Sequence, residues 1–142
     1  MKEDWIYRRG DLYLANLGKP VGSRQGGVRP VVVLQNNVGN YFSTTITVAP
    51  LTTKVGKKVK QPTHYFIREA KGLEYPSMVL GEQVMTLDKM RVIKYIGKVT
   101  KGQMRHIDRA VKVQLGYFLD DYKERDDMRW PVGAGGDDGE KK

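Results

Sequence analysis

The chain has 142 residues, a formal net charge of +9 and no cysteine. This length is typical of one domain with a real hydrophobic core. The lack of cysteine excludes disulfides, thiolate metal sites and cysteine nucleophiles, and it favours a reducing, cytoplasmic location. No apolar run approaches the ~20 residues of a membrane span, and the charged start is unlike a signal peptide, so we expect no membrane association.

The basic charge is concentrated in the first 122 residues. The last 20 residues hold five Lys/Arg and six Asp/Glu, which leaves 20 basic and 10 acidic residues in 1–122, a net charge of +10. Such a body suits a polyanionic partner such as nucleic acid, although surface lysines can also serve solubility alone. The remainder mixes glycine, proline and both charges, which predicts disorder. We therefore expect one domain over 1–122 and a disordered tail over 123–142.

Short apolar or β-branched segments dominate the body and predict strands. In chain order these segments are 11–17, 31–34, 44–49, 63–67, 77–80 and 95–99, and 81–86 extends the fifth strand beyond a bend. Residues 35–40 carry turn chemistry, and residues 88–91 have the length of a single helical turn.

One amphipathic helix is predicted, from Lys101 to about Phe118. Its apolar residues recur at steps of three and four, and Thr100 is a suitable N-cap. His106 lies beside the apolar stripe, and we interpret it as structural. Many short strands with a terminal helix predict a mainly β fold with a C-terminal helix, either a small barrel or a strongly bent sheet that the helix closes or caps.

The most informative segment is the loop 22–30 (GSRQGGVRP), which leads directly into the apolar run 31–34. Arg29 stands where this glycine-bearing loop meets a buried strand. The planar fork of guanidinium N–H donors suits a phosphate, so the junction is predicted to bind one. Two other polar segments, 47–53 and 60–64, also fall at strand ends, where a rigid sheet can position them.

Several motifs resemble those of the MazF/PemK family, the endoribonuclease toxins of bacterial type II toxin–antitoxin pairs. The resemblance covers about residues 8–119 and rests on RGDLY at 9–13, GSRQGGVRPVVVLQN at 22–36, VAPLT at 48–52, LGEQ at 80–83 and TLDK at 86–89. It implies an SH3-like barrel of the MazF/CcdB type that forms a homodimer. It also implies cleavage of single-stranded RNA (mRNA) at short sequences, with no metal and no other cofactor.

The same resemblance implies a cognate antitoxin that occupies the RNA groove. An acidic, amphipathic segment would complement the basic body. Contact with DNA is expected only through the complex of toxin and antitoxin.

The resemblance assigns catalysis to Arg29 and Thr52. Cleavage without a metal uses the ribose 2′-hydroxyl as nucleophile and needs donors for the phosphoryl oxygens, which a guanidinium and a hydroxyl can supply. A guanidinium is a poor proton acceptor at neutral pH, so the acceptor of the 2′-hydroxyl proton stays open. His64 is a candidate for that role, and the alternative is a groove histidine on which a base stacks.

The predicted RNA-binding residues occupy three parts of the expected groove: Ser23, Arg24, Gln25, Gly26, Gly27, Pro30, Pro62, Thr63, His64 and Gln83. Residues 23–27 are expected to form a movable wall that contacts phosphates or base edges, with an ordinary surface turn as the alternative. Gln83 either faces the groove or is merely solvated.

Two other functions remain open at this point. A CcdB-like gyrase poison would share the barrel, because a fold does not decide a function. The chain ends in Asp-Gly-Glu-Lys-Lys rather than in the Trp-Gly-Ile of such poisons. A noncatalytic RNA-binding module on the same barrel is the second alternative, and the presence of both Arg29 and Thr52 weighs against it.

Overall fold

A computed structural model describes residues 6–54 and 61–118. They form seven strands and two α-helices, in the order β1 (Asp11–Asn16), β2 (Val28–Val33), α1 (Asn37–Phe42), β3 (Thr45–Thr52), β4 (His64–Ile67), β5 (Ser77–Leu80), β6 (Met85–Asp88), β7 (Val92–Lys98) and α2 (Lys101–Gln114). Two 3-10 turns, Gly81–Gln83 and Lys89–Arg91, flank β6. The predicted tail, 123–142, lies outside the described residues.

The strands form one antiparallel sheet in the order β4-β5-β3-β2-β1-β7, and β6 pairs with β3 away from this path. The predicted mainly β fold with a C-terminal helix is confirmed. Closure into a barrel is not: within the described residues the sheet ends at β4 on one side and at β7 on the other.

Strand β3 is the centre of the sheet and is longer than the predicted segment 44–49. One edge pairs with β2 through Val48, Ala49 and Pro50. The other edge pairs first with β6 and then, at Leu51 and Thr52, with β5. Strand β3 therefore changes partner along its length on this edge.

Alternation along the central strands places side chains in two buried clusters on opposite faces of the sheet. On β2, Val31 and Val33 belong to one cluster, whereas Val32 belongs to the other. Of the apolar run 31–34, the three valines are fully buried, whereas Leu34 follows the strand and is half-buried. The second cluster also contains Ile107, through which α2 packs against the sheet.

Helix α2 begins at the predicted residue but ends earlier. A capping box fixes its start, because Thr100 Oγ1 accepts from the Gln103 N–H (3.0 Å) and the Gln103 side chain accepts from the Thr100 N–H (2.9 Å). At the other end Gly116 takes a left-handed φ of 84°. The N–H groups of Gly116 and Tyr117 donate to the carbonyls of Val113 and Lys112, a Schellman motif that stops the helix before Phe118.

Two other segments differ from the sequence predictions. Residues 35–40 were expected to form a turn, but Asn36 caps the short helix α1 by accepting from the Gly39 N–H (2.8 Å). Residues 81–86 do not extend β5. The Gly81 N–H still bonds to the Thr63 carbonyl (2.8 Å) in the register of the β4–β5 ladder, and the chain then makes a 3-10 turn and enters β6. The single turn predicted at 88–91 is present, with Asp88 as its cap.

Candidate active site

The two predicted catalytic residues lie at the same end of the β2–β3 ladder. The last pair of the β2–β3 ladder joins Val31 to Pro50. Arg29 lies two residues beyond Val31, and Thr52 lies two residues beyond Pro50 in the antiparallel direction. The two residues therefore occupy corresponding positions just past the ladder, where Arg29 pairs with Ala15 of β1 and Thr52 with Met78 of β5.

The Arg29 side chain is held by the loop that precedes it. Its Nε–H donates to the Gly26 carbonyl (3.0 Å), and the residue is half-buried. This bond uses one of the five guanidinium N–H groups. The four N–H groups at the two Nη atoms make no hydrogen bond with the described part of the chain, so they remain available to oxygens of a phosphate.

The Thr52 hydroxyl sits in a nearly closed position at the end of β3. The residue is only 9% exposed, and its Oγ1 accepts from the Lys54 N–H (3.2 Å). A hydroxyl that accepts in this way keeps its own proton for donation. Thr52 can therefore donate to an oxygen that arrives from outside.

The loop 22–27 lies beside the Arg29 side chain, which it contacts through the Gly26 carbonyl. Ser23 and Arg24 are exposed and Gln25 is half-buried. Gly26 is required sterically, because a Cβ there would lie 2.4 Å from the Pro20 backbone nitrogen. Gly27 has a φ of 75°, and its N–H donates to the Gly18 carbonyl (2.7 Å), which fastens the base of the loop.

Gln83 is bonded to this loop rather than solvated. The Gln25 N–H donates to its Oε1 (3.1 Å), and its Nε2 donates to the Ser23 carbonyl (2.8 Å). One side-chain amide thus links the 3-10 turn Gly81–Gln83 to the loop, across about 60 residues of sequence.

His64 is buried in this structure. This burial does not fit the expected groove histidine on which a base stacks. The His64 side chain is 1% exposed, and Nε2 lies 2.8 Å from Glu82 Oε2. A base cannot stack on a ring that is covered by protein. The sequence analysis did not identify Glu82, although its place in the motif LGEQ beside Gln83 was a usable signal.

The other predicted RNA-binding residues lie around these groups. Pro62 is exposed, and Thr63 is half-buried, with its carbonyl accepting the Gly81 N–H. Pro30, next to Arg29, lines an open cavity of about 480 Å³ together with Thr53, the neighbour of Thr52. Tyr75, Lys94 and Tyr95 line the same cavity, whereas Arg29 and Thr52 do not line it. Pro30 and Arg29 are successive strand residues, so their side chains leave opposite faces of the sheet.

His106 has the structural role expected of it. Its ring stacks on Tyr65 of β4 with centroids 5.1 Å apart and planes within 7°. The stack joins α2 to β4, the strand that begins with His64.

Two classes of site are not found among the described residues. Residues 6–54 and 61–118 contain no group of three or more His, Asp or Glu side chains placed to hold a metal ion. In the same ranges no helix is both long and apolar enough to cross a membrane.

The chain thus combines an antiparallel sheet and a terminal helix with an arginine and a threonine at one end of the β2–β3 ladder, beside a glycine-bearing loop. Residues 8–115 match the family model described as "PemK-like, MazF-like toxin of type II toxin-antitoxin system". The chain belongs to this family.

Solved structures of similar fold agree with that assignment. MazF from Deinococcus radiodurans superposes with a TM-score of 0.70 at 21% identity, covering 80% of this chain and 99% of that one. A mycobacterial endoribonuclease in complex with its cognate antitoxin gives 0.65 at 25% identity, covering 88% and 99%. The Mycobacterium tuberculosis toxin MazF-mt6 gives 0.61 at 26% identity, covering 74% and 95%.

Proposed function

We propose that this chain is the toxin of a type II toxin–antitoxin pair and acts as a sequence-specific endoribonuclease on single-stranded RNA. The observation that carries the proposal is the position of Arg29 and Thr52 at corresponding places beyond the β2–β3 ladder, beside the loop 22–27. At these positions a guanidinium and a hydroxyl can donate hydrogen bonds to different oxygens of one phosphodiester. Membership of the toxin family supports the same activity.

The proposed reaction is a transesterification within the RNA. The ribose 2′-oxygen attacks the adjacent phosphorus, and the bond from phosphorus to the 5′-oxygen of the next nucleotide breaks. The products are a 2′,3′-cyclic phosphate and a 5′-hydroxyl, and the proton lost by the 2′-hydroxyl is balanced by the one gained at the 5′-oxygen. Arg29 and Thr52 stabilise the charge that develops on the phosphoryl oxygens.

The proton acceptor is not Arg29, because a guanidinium binds its proton too firmly at neutral pH. His64 is a poor candidate in the conformation described, since its ring is covered and Nε2 faces Glu82. The proposal therefore gives Arg29 and Thr52 electrostatic roles only.

The surrounding residues are proposed to bind the RNA. Arg24 is exposed at the loop edge and suits a phosphate, while the exposed Ser23 and Pro62 border the same groove. The basic body supplies the long-range attraction for a polyanion.

The proposed partners are a second copy of the chain and an acidic antitoxin. One similar mycobacterial endoribonuclease is described in complex with its cognate antitoxin. An acidic segment in the groove would meet Arg24 and Arg29 where RNA phosphates otherwise bind, and so would block cleavage. We expect the toxin to act in the cytoplasm, where mRNA is its substrate.

Incubation of the purified protein with long single-stranded RNA in excess EDTA tests this function. We expect cuts at a short recurring sequence, with a 2′,3′-cyclic phosphate and a 5′-hydroxyl at the new ends, which sequencing of the 5′ ends would locate. Inhibition of gyrase without RNA cleavage would instead support a gyrase poison. RNA binding without cleavage would support a noncatalytic module.

A further inference from the structure

The 3-10 turn Gly81–Gln83 is held at two points, Gly81 and Glu82. Its first N–H donates to the Thr63 carbonyl (2.8 Å), and a Cβ on Gly81 would approach that carbonyl to 2.5 Å, so the backbones are in close contact. Glu82 meets the buried His64. A segment held in this way is a rigid base for the side chain that follows, which is Gln83.

Gln83 extends from this base to the loop 22–27. It accepts from the Gln25 N–H and donates to the Ser23 carbonyl, so both ends of its amide are used. The side chain behaves as a clamp on two backbone groups, and the side chains of Ser23 and Gln25 are not needed for these bonds. The clamp depends on the length of the Gln83 side chain, because its amide must reach the Gln25 N–H and the Ser23 carbonyl at the same time.

The loop in turn holds Arg29. The Gly26 carbonyl, one residue after Gln25, accepts from Arg29 Nε (3.0 Å). The same loop is fastened at its other side by the Gly27 N–H to the Gly18 carbonyl (2.7 Å). Gly26 therefore lies between two attachments, the Gln83 clamp and the Gly27–Gly18 bond, and its carbonyl has a defined place.

We propose that Gln83 is a positioning residue: it clamps the loop 22–27 in the protein without RNA and thereby orients the Arg29 guanidinium for the phosphate. This inference rests on the proposed nuclease function and adds to it a role that acts through protein contacts. Reactions of this kind lose rate steeply when a binding group moves by about 1 Å. Release of the clamp therefore lowers the rate of the chemical step and not only the affinity for RNA.

Amide exchange of the RNA-free protein tests the clamp without reference to activity. In Gln83→Ala we expect the Gln25 N–H to exchange with solvent about tenfold faster, the order expected for loss of one or two hydrogen bonds, while the Gly27 N–H is unchanged. Gln114→Ala, an exposed glutamine near the end of α2, is the matched control and should leave both amides unchanged. Gln83→Asn retains the amide but is one methylene shorter, so it should give an intermediate rate.

Single-turnover cleavage at saturating enzyme then separates positioning from RNA contact. We expect Gln83→Ala to lose about tenfold in rate at saturation, with a melting temperature close to that of the control. Unchanged exchange at Gln25 would overturn the clamp whatever the cleavage data. Faster exchange with an unchanged saturated rate would overturn the link to Arg29. If the unaltered protein cuts no RNA, the proposed function fails, and the exchange comparison still decides the clamp.

Discussion

Arg29 and Gln83 illustrate how much a single residue depends on partners that are distant in sequence. The motif around Arg29 predicted a polar group at a strand mouth, and the structure places it there. The motif could not predict the bond from Gln83 to Gln25, because no local pattern specifies a contact between residues 58 apart. The same holds for Glu82 and His64, whose pairing depends on how the 3-10 turn packs against the start of β4.

Replacement of His64 by Asn should affect stability rather than chemistry. The imidazole is covered and paired with Glu82, so its loss leaves a partly exposed carboxylate without this partner, at a cost of about 1–2 kcal/mol. We expect a lower unfolding free energy in urea and a single-turnover cleavage rate within about threefold of the unaltered protein. His106→Asn is the matched control, with a loss below about 1 kcal/mol. A fall in rate well beyond about tenfold at unchanged stability would contradict a purely structural role for His64.

Asp11 gives the stability a specific dependence on pH. Burial raises the pKa of this carboxyl above its ordinary 3.8, although the Arg8 N–H (2.9 Å) and the Tyr13 hydroxyl (3.0 Å) both donate to Oδ2. Because the folded state holds the proton more tightly than the unfolded state, this contribution to stability is present below pH 3.8 and is lost as the pH rises through the folded pKa.

The variant Asp11→Asn lacks this titration. Relative to the unaltered protein, we expect it to gain unfolding free energy as the pH rises above 3.8. Urea unfolding of both proteins across this pH range measures the difference. A difference that is independent of pH, or one that changes in the opposite direction, would contradict the assignment.

Among the elements, α2 shows which boundaries a sequence can define. Its start was predictable, because Thr100 and Gln103 form a local capping box. Its end was not, since apolar periodicity continues to Phe118 while Gly116 takes the left-handed conformation of a Schellman motif. The strand β6 was missed for a different reason: its pairing with the first half of β3 is a long-range contact.

The capping box of α2 should be measurable in stability. Thr100→Ala removes the hydroxyl that accepts from the Gln103 N–H, and we expect a loss of about 1 kcal/mol in unfolding free energy. Thr44→Ala, at an exposed position between α1 and β3, is the matched control and should change stability by less than about 0.5 kcal/mol. Equal losses in the two variants would contradict a specific role for the cap.

For the whole molecule, the sequence predicted the mainly β fold class but not whether the sheet closes into a barrel. The run of short strands followed by one amphipathic helix was sufficient for a mainly β fold. Whether β4 and β7 would meet depends on how sharply β3 bends and on how its partners divide along it, and such features are set by packing between distant segments. The net charge follows directly from the sequence, and it indicates the kind of partner rather than the fold.

The basic charge predicts that RNA binding weakens strongly with salt. For single strands, log K falls with log salt by about 0.7 for each phosphate contact, so four contacts would lower affinity about 50-fold between about 50 and 200 mM salt. The Arg29→Ala protein allows this titration without cleavage. A neutral-backbone oligomer of the same sequence is the control and should show little dependence on salt. Salt-independent binding of the natural RNA would contradict an electrostatic interface.

The central claim is that Arg29 stabilises the phosphoryl charge during RNA cleavage. Single-turnover cleavage in EDTA by Arg29→Ala, compared with the unaltered protein and with Arg105→Ala at an exposed position of α2, tests it most directly. We expect a loss of about 10²–10³ in rate for Arg29→Ala at an unchanged melting temperature, and no loss for Arg105→Ala. A folded Arg29→Ala protein that cuts RNA at the rate of the unaltered protein would contradict the account.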